Sequence, residues 1–125
     1  MRTFVYTGTE QHKVNPFRPG TEYGEADIIV MYVDAVIEEG KAEESYYRQK
    51  AYVGLQRAIA QDDARNAPNE RSAKAQVDLA ISSPVSVLDE LRADLAVARA
   101  RAKCVRVVLN AMYGSVYEGE EQHDE

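Results

Sequence analysis

The chain has 125 residues and a formal net charge of −6, so it is short enough for one domain and acidic overall. Hydrophobic residues make up 45% of it, but it has no Trp and only two Phe, which favours thin helix-on-helix contacts over a thick core. The single Cys104 excludes an intramolecular disulfide. No apolar run approaches the roughly 18 residues of a membrane span, and there is no signal-peptide pattern. We therefore expect a cytoplasmic protein without membrane contact.

The first 21 residues predict an N-terminal arm made of a short strand and a loop. Residues 2–7 have a strand-like composition that ends at Gly8, and turn-forming Asn, Pro and Gly residues occupy positions 15–20. Because a lone strand is unstable, we expect it to pair with another copy or to lie against helices. Thr21 is a suitable N-cap for the helix that follows.

The first long helix is predicted from about Glu22 to about Asp62. A stripe of small and apolar residues steps along it by 4 and 3 residues, as in a coiled coil. Gly40 lies on this stripe, and the alternative is a helix break there. Glu44 is a polar exception that needs a basic partner or a shift of register. The predicted packing stripe of the first helix comprises Ala26, Val30, Val33, Ile37, Gly40, Glu44, Tyr47, Ala51, Gly54 and Ala58.

A polar connection at 62–69 leads to a predicted short helix at 72–81, and Ser83 and Pro84 predict a restart, as N-cap and first helical residue. The restarted helix runs to about Tyr117 and carries an unbroken heptad pattern. An acidic tail, 118–125, is predicted to be disordered. The heptad positions are Leu88, Leu91, Leu95, Ala98, Ala102, Val105, Leu109, Met112 and Val116.

The same helix carries a second apolar stripe, which predicts a second packing partner and hence an oligomer. Its members are Val97, Ala100, Cys104, Val107, Val108 and Ala111. The expected fold is mainly α: a long antiparallel helical hairpin over residues 22–117, oligomeric, with a short N-terminal strand-like segment.

Basic residues concentrate in the middle of the chain, although the total is acidic. Arg92, Arg99 and Arg106 recur every seven residues and therefore form one line beside the heptad pattern. One interpretation is a phosphate-binding stripe, since Arg offers forked donors to phosphate oxygens. The other is a set of flanking salt bridges to acids of the first helix, such as Glu38 and Glu39. The sequence leaves both open.

Aromatic and basic residues also alternate near the middle of the first helix, a mixture that single-strand-binding proteins use for stacking and phosphate contacts. They are Tyr46, Tyr47, Arg48, Lys50, Tyr52 and Arg57. Catalysis finds little support. His12 and His123 lack the spacing of a metal site, Cys104 lies on an apolar stripe, and there is no Gly-rich phosphate loop. We expect no catalytic residues, no metal and no cofactor.

Residues 41–117 resemble the phage recombination mediators of the UvsY type. The resemblance lies in the order of Tyr46-Tyr47-Arg48-Gln49-Lys50-Ala51, a polar break, Lys74-Ala75-Gln76-Val77, a Ser83-Pro84-Val85 restart and a long Leu/Ala heptad helix. It implies a non-enzymatic homo-oligomer in the host-cell cytoplasm that binds single-stranded DNA and helps to load a recombinase. The residues matched to DNA binding are Lys50, Arg57, Lys74, Arg92, Arg99 and Arg106.

The sequence leaves two alternatives open. Parts of the chain around His12-Lys13, Phe17-Arg18 and 49–60 look like phage counter-defence proteins that sequester a cyclic-nucleotide signal at subunit interfaces. That resemblance implies a ligand site made from Lys13, Phe17, Arg18 and Arg57. The third interpretation is a structural or adaptor oligomer without a ligand.

Overall fold

The computed structural model describes residues 2–9 and 13–124, and its description of residues 114–124 does not extend to their side chains. Helix accounts for 79% of the chain, which confirms the mainly α fold class. The elements are β1 (Thr3–Val5), β2 (Glu22–Gly24), α1 (Glu25–Asp63), a 3-10 turn (Ala64–Asn66) and α2 (Glu70–Asp124).

The residues cluster into two compact units. Unit 1 contains Met1–Gly40 and Ala96–Glu125, and unit 2 contains Lys41–Leu95. Unit 1 therefore holds both strands, the first part of α1 and the last part of α2. Unit 2 holds the remainder of the two helices and the 3-10 turn that joins them.

The N-terminal strand finds its partner within the chain. β1 pairs antiparallel with β2, with Phe4 opposite Tyr23. The prediction that residue 22 begins the first helix was therefore wrong by three residues, because Glu22–Gly24 serves as the second strand. Helix α1 begins at Glu25 instead, and the Asp27 carboxylate accepts a 3.0 Å hydrogen bond from the Gly24 N–H, as in the acidic half of a capping box.

The core of unit 1 forms where the N-terminal segment meets both helices. Phe17, Ile28, Val105 and Met112 form its buried cluster, and the first three are at most 1% exposed. The Phe17 ring lies edge-on to Phe4 at 4.9 Å and to Tyr23 at 5.2 Å between centroids. Each ring pair adds modestly to the burial energy, so Phe17 anchors the N-terminal segment.

The core of unit 2 is a thinner contact between two helices. Its buried side chains are small or aliphatic: Val53, Ala60, Ala64, Ile81, Leu88 and Leu95. The connection is closed by an N-cap, since the Asn69 side chain accepts a 2.8 Å hydrogen bond from the Ser72 N–H. Helix α2 therefore begins at Glu70, close to the predicted start.

The predicted restart at Ser83 and Pro84 was wrong, because α2 runs continuously through Pro84. An interior proline removes one helical hydrogen bond. The helix continues because Ile81 and Leu88 are both buried, 6% and 8% exposed, on either side of the proline. The Ser82 hydroxyl also donates to the Leu79 carbonyl at 2.9 Å within the same helix.

The heptad prediction for α2 is confirmed from Leu88 to Met112. Six of its positions are no more than 9% exposed, and Leu91 and Leu109 are half-buried. The side chain of Val116, the last predicted position, lies outside the described residues. So do the side chains of the predicted acidic tail, 118–125, whose disorder stays a prediction.

The predicted packing stripe of α1 does not pack against the rest of the chain. Val30, Val33, Ile37 and Tyr47 are 49–59% exposed, and the helix buries the positions two residues further on. Two residues correspond to about 200° around a helix, so the observed contact is on the opposite face. Along this line the buried or half-buried positions are Ile28, Tyr32, Ala35 and Glu39 in unit 1, and Ala42, Tyr46, Gln49, Val53, Gln56 and Ala60 in unit 2.

The second apolar stripe of α2 is partly covered by the chain itself. Cys104 and Val108 pack against the core that the N-terminal segment completes, whereas Val107 stays 56% exposed. The second partner predicted for this stripe is therefore, in part, the chain's own N-terminus. Helix α1 is continuous from Glu25 to Asp63, so the alternative of a helix break at Gly40 was wrong.

Candidate nucleic-acid interface

Three basic side chains form one exposed line on α2 in unit 1. Arg99, Lys103 and Arg106 are spaced by four and three residues, which places them on one face of the helix. All three are exposed. The sequence has no Asp or Glu between Asp94 and Glu118, so α2 itself supplies no neutralising charge there. We call these three residues the basic stripe.

Acids of α1 pair only weakly with the basic stripe. The Arg99 Nε lies 3.9 Å from the Glu39 carboxylate, and the Arg99 side chain stays 51% exposed. Exposed ion pairs contribute about 0–1 kcal/mol. Neither Lys103 nor Arg106 has an ion pair among the described residues. The stripe can therefore exchange these contacts for phosphate at little energetic penalty.

Lys103 was not among the predicted DNA-binding residues. The seven-residue repeat of Arg92, Arg99 and Arg106 drew attention to positions of one heptad class only. Lys103 joins the same face because it lies four residues after Arg99 and three before Arg106. Counting basic residues by helical face rather than by repeat would have found it.

Arg92 belongs to unit 2 and is engaged differently. Its guanidinium lies 5.9 Å from the Tyr46 ring centroid and 3.4 Å from the Asp89 carboxylate on its own helix. A hydrogen bond with the Tyr46 side chain raises the pKa of Arg92. Arg92 is still exposed, but its guanidinium already has an aromatic partner.

Two further predicted residues meet in unit 2. Arg57 and Lys74 line one cavity of about 340 Å³ together with Gln61 and Asp78. Arg57 lies on α1 and Lys74 on α2, and their proximity could not be read from the sequence. Asp78 offsets part of their positive charge. Lys50 is exposed and does not line this cavity.

The residues of the alternative ligand site fall in different surroundings. Phe17 is 1% exposed in the core of unit 1, whereas Arg18 is exposed on the loop. Lys13 lines a cavity of about 510 Å³ that also contains Asp34, Glu38 and Arg101. Arg57 belongs to unit 2.

Arg101 fixes the loop that borders this larger cavity. Its Nη2 donates a 2.9 Å hydrogen bond to the Lys13 carbonyl, and its Nη1 lies 3.4 Å from the Glu38 carboxylate. Its buried Nε has no partner among the described residues. The lining of the cavity contains two basic and two acidic side chains, so it carries no net positive charge that would attract an anionic ligand.

Groups suited to catalysis are sparse in the described part of the chain. Burial raises the pKa of the Cys104 thiol, so the thiol stays protonated near neutral pH and is a poor nucleophile. Across residues 2–9 and 13–113, no cluster of His, Cys, Asp and Glu could hold a metal ion. His12 and the side chain of His123 lie outside the described residues.

None of the described helices is long and apolar enough to cross a membrane. Comparison of the chain with protein-family models, with curated proteins and with solved structures finds no match in any of the three.

Proposed function

We propose that this protein is a non-enzymatic, homo-oligomeric single-stranded DNA-binding protein that contacts phosphates through the basic stripe. The observation that supports the proposal is the exposure of Arg99, Lys103 and Arg106 on a helix segment without acids. Arg forks and a Lys ammonium on one helix face suit a phosphate backbone. A role as a recombination mediator is the finer form of the proposal and rests on the resemblance to the UvsY type.

An exposed aromatic ring in unit 2 fits the same function. Tyr52 is 47% exposed, and Lys50 lies two residues before it in sequence. Bases of a single strand stack on such rings at about 1–3 kcal/mol each. The nucleotide-sequestration alternative has less support, because Phe17 is buried among Phe4 and Tyr23 instead of being open to a base.

The test is the salt dependence of binding to a labelled oligothymidine, measured by fluorescence anisotropy. Replacing Lys103 and Arg106 by Gln should weaken binding at low salt. It should also reduce the slope of log K against log salt by about 1.4, since each phosphate contact on a single strand contributes about 0.7.

The matched control replaces Arg65 and Arg71 by Gln. This pair lies in unit 2, is exposed and removes the same charge. The control should keep most of the slope. Equal losses in the two double variants would mean that only net charge matters, and absence of binding at low salt would end the proposal.

A further inference from the structure

The outward face of α1 in unit 1 is apolar and has no partner within the described chain. Ile29, Val30, Val33, Val36 and Ile37 are 43–59% exposed within nine residues. At about 100° per residue they occupy an arc of about 120°. The opposite face, with Ile28 and Ala35, already packs in the core of unit 1. A concentration of β-branched aliphatic side chains on a solvent-facing arc marks an interaction surface.

Two glycines on the predicted stripe of α1 also have no explanation within the chain. Gly40 and Gly54 lie inside a helix, where glycine is less favourable than alanine. A Cβ atom added at either position would meet nothing within 4 Å. Nothing in the described chain therefore requires a missing side chain there, whereas a second helix approaching this face would.

We propose that this outward face of α1 binds α1 of a second copy of the chain, with the two helices antiparallel. The 4-and-3 spacing from Ala26 to Ala58 reads the same in both directions, so two antiparallel copies can match every position. Three of the five pairs between copies then set a larger residue against a smaller one: Val30 with Gly54, Val33 with Ala51, and Glu44 with Gly40. The other two pairs are Ile37 with Tyr47 and Ala26 with Ala58.

Charge selects the antiparallel arrangement over the parallel one. Parallel helices in register would place Glu44 against Glu44 of the second copy inside the contact, which like charges oppose. In the antiparallel arrangement Glu44 faces Gly40 and lies beside Lys41 of the second copy. Along the edge, the same register places Asp34 near Arg48 of the second copy but Lys41 near its own equivalent, so the choice of orientation rests on Glu44.

The first test is the mass of the native full chain by sedimentation, from micromolar to millimolar concentration. The wild type should be a dimer or a multiple of it, and Val33→Asp should shift the midpoint of association at least tenfold upward. Leu79→Asp is the control, because Leu79 is 78% exposed but lies on α2 in unit 2, and it should leave the midpoint unchanged. A wild type that stays monomeric throughout would overturn the proposal.

The second test fixes the orientation by cysteine cross-linking in a Cys104→Ala background. Under mild oxidation the Val33→Cys/Ala51→Cys double variant should form a covalent dimer, and each single variant should stay monomeric. Cross-linking of the single variants as efficiently as the double variant would show a parallel contact. Absence of a covalent dimer in all three would remove this interface, whatever the mass of the assembly.

Discussion

Units 1 and 2 use the same two helices but bury them differently. In unit 1 the N-terminal segment closes over both helices, and Phe17, Ile28 and Val105 become at most 1% exposed. In unit 2 only two helices meet, and the best-buried side chain, Leu95, keeps 3% exposure. The N-terminal segment adds a third layer over the two helices, and side chains become almost fully buried only where that layer is present. Unit 1 should carry most of the stability, and unit 2 should be easier to open.

The largest predicted effect comes from a substitution in unit 1 that removes the Phe17 ring, which anchors the N-terminal segment on the two helices. Phe17→Ala should lower the free energy of unfolding by about 3–5 kcal/mol, the usual range for a fully buried Phe. Leu88→Ala in unit 2 should lower it by about 2–3 kcal/mol, near the bottom of the range for Leu, because the thin contact can collapse around the gap. Urea unfolding of both variants measures the difference, and a larger loss for Leu88→Ala would reverse our ranking of the units.

A second substitution tests whether α2 is continuous through unit 2. Pro84→Ala should raise the free energy of unfolding by about 1–3 kcal/mol, because it restores the helical N–H that proline lacks. If Pro84 instead occupied the first position of a new helix, the same change would be neutral or destabilising. Thermal unfolding gives the sign, and Val85→Ala serves as the control for a half-buried neighbour.

The smallest predicted effect concerns the thiol of unit 1. Burial raises the pKa of the Cys104 thiol. Below that pKa, a smaller fraction of the thiol is therefore ionised in the folded chain than in the unfolded chain. Alkylation should therefore be slower than in the urea-unfolded chain and should reach its half-maximal rate at a higher pH. In unit 2, Val87→Cys in a Cys104→Ala background provides an exposed comparison, since Val87 is 41% exposed. Equal rates at the two sites would contradict the burial of Cys104.

The sequence predicted α2 well because its apolar residues form one clear line. Leu88, Leu95 and Val105 repeat at heptad spacing, and all three are buried. The N-terminal strand was also anticipated, but its partner was not, because Glu22 and Glu25 are typical of the first turn of a helix. Strand pairing is a long-range contact, and local pattern does not report it.

The face of α1 could not be predicted because both of its faces follow heptad spacing. The more apolar line, with Val30, Val33 and Ile37, is exposed. The buried line includes Gln49, whose amide donates a 3.0 Å hydrogen bond to the Pro84 carbonyl. A polar side chain that finds such a partner is tolerated inside the hairpin, and a count of apolar residues cannot anticipate that.

The arrangement of the predicted binding residues was anticipated in part, whereas their role stays a prediction. Arg99 and Arg106 lie on one exposed face as the repeat indicated, and Arg57 and Lys74 share a cavity. The position of the neighbouring helix determines whether a basic side chain faces an acidic one. The Arg99–Glu39 distance of 3.9 Å could therefore come only from the structure. Lys103 was left out of the predicted DNA-binding residues because it does not follow the seven-residue repeat, although it lies on the same helical face.

Chemical labelling of lysines with and without bound oligonucleotide tests the central claim most directly. Lys103 should lose most of its reactivity toward an amine-specific reagent when oligothymidine saturates the protein, because its ammonium would then contact phosphate. Lys41 is exposed on α1, away from the basic stripe in sequence, and it should keep the reactivity of the free protein. Unchanged labelling of Lys103 at saturation would contradict the claim that the basic stripe binds single-stranded DNA.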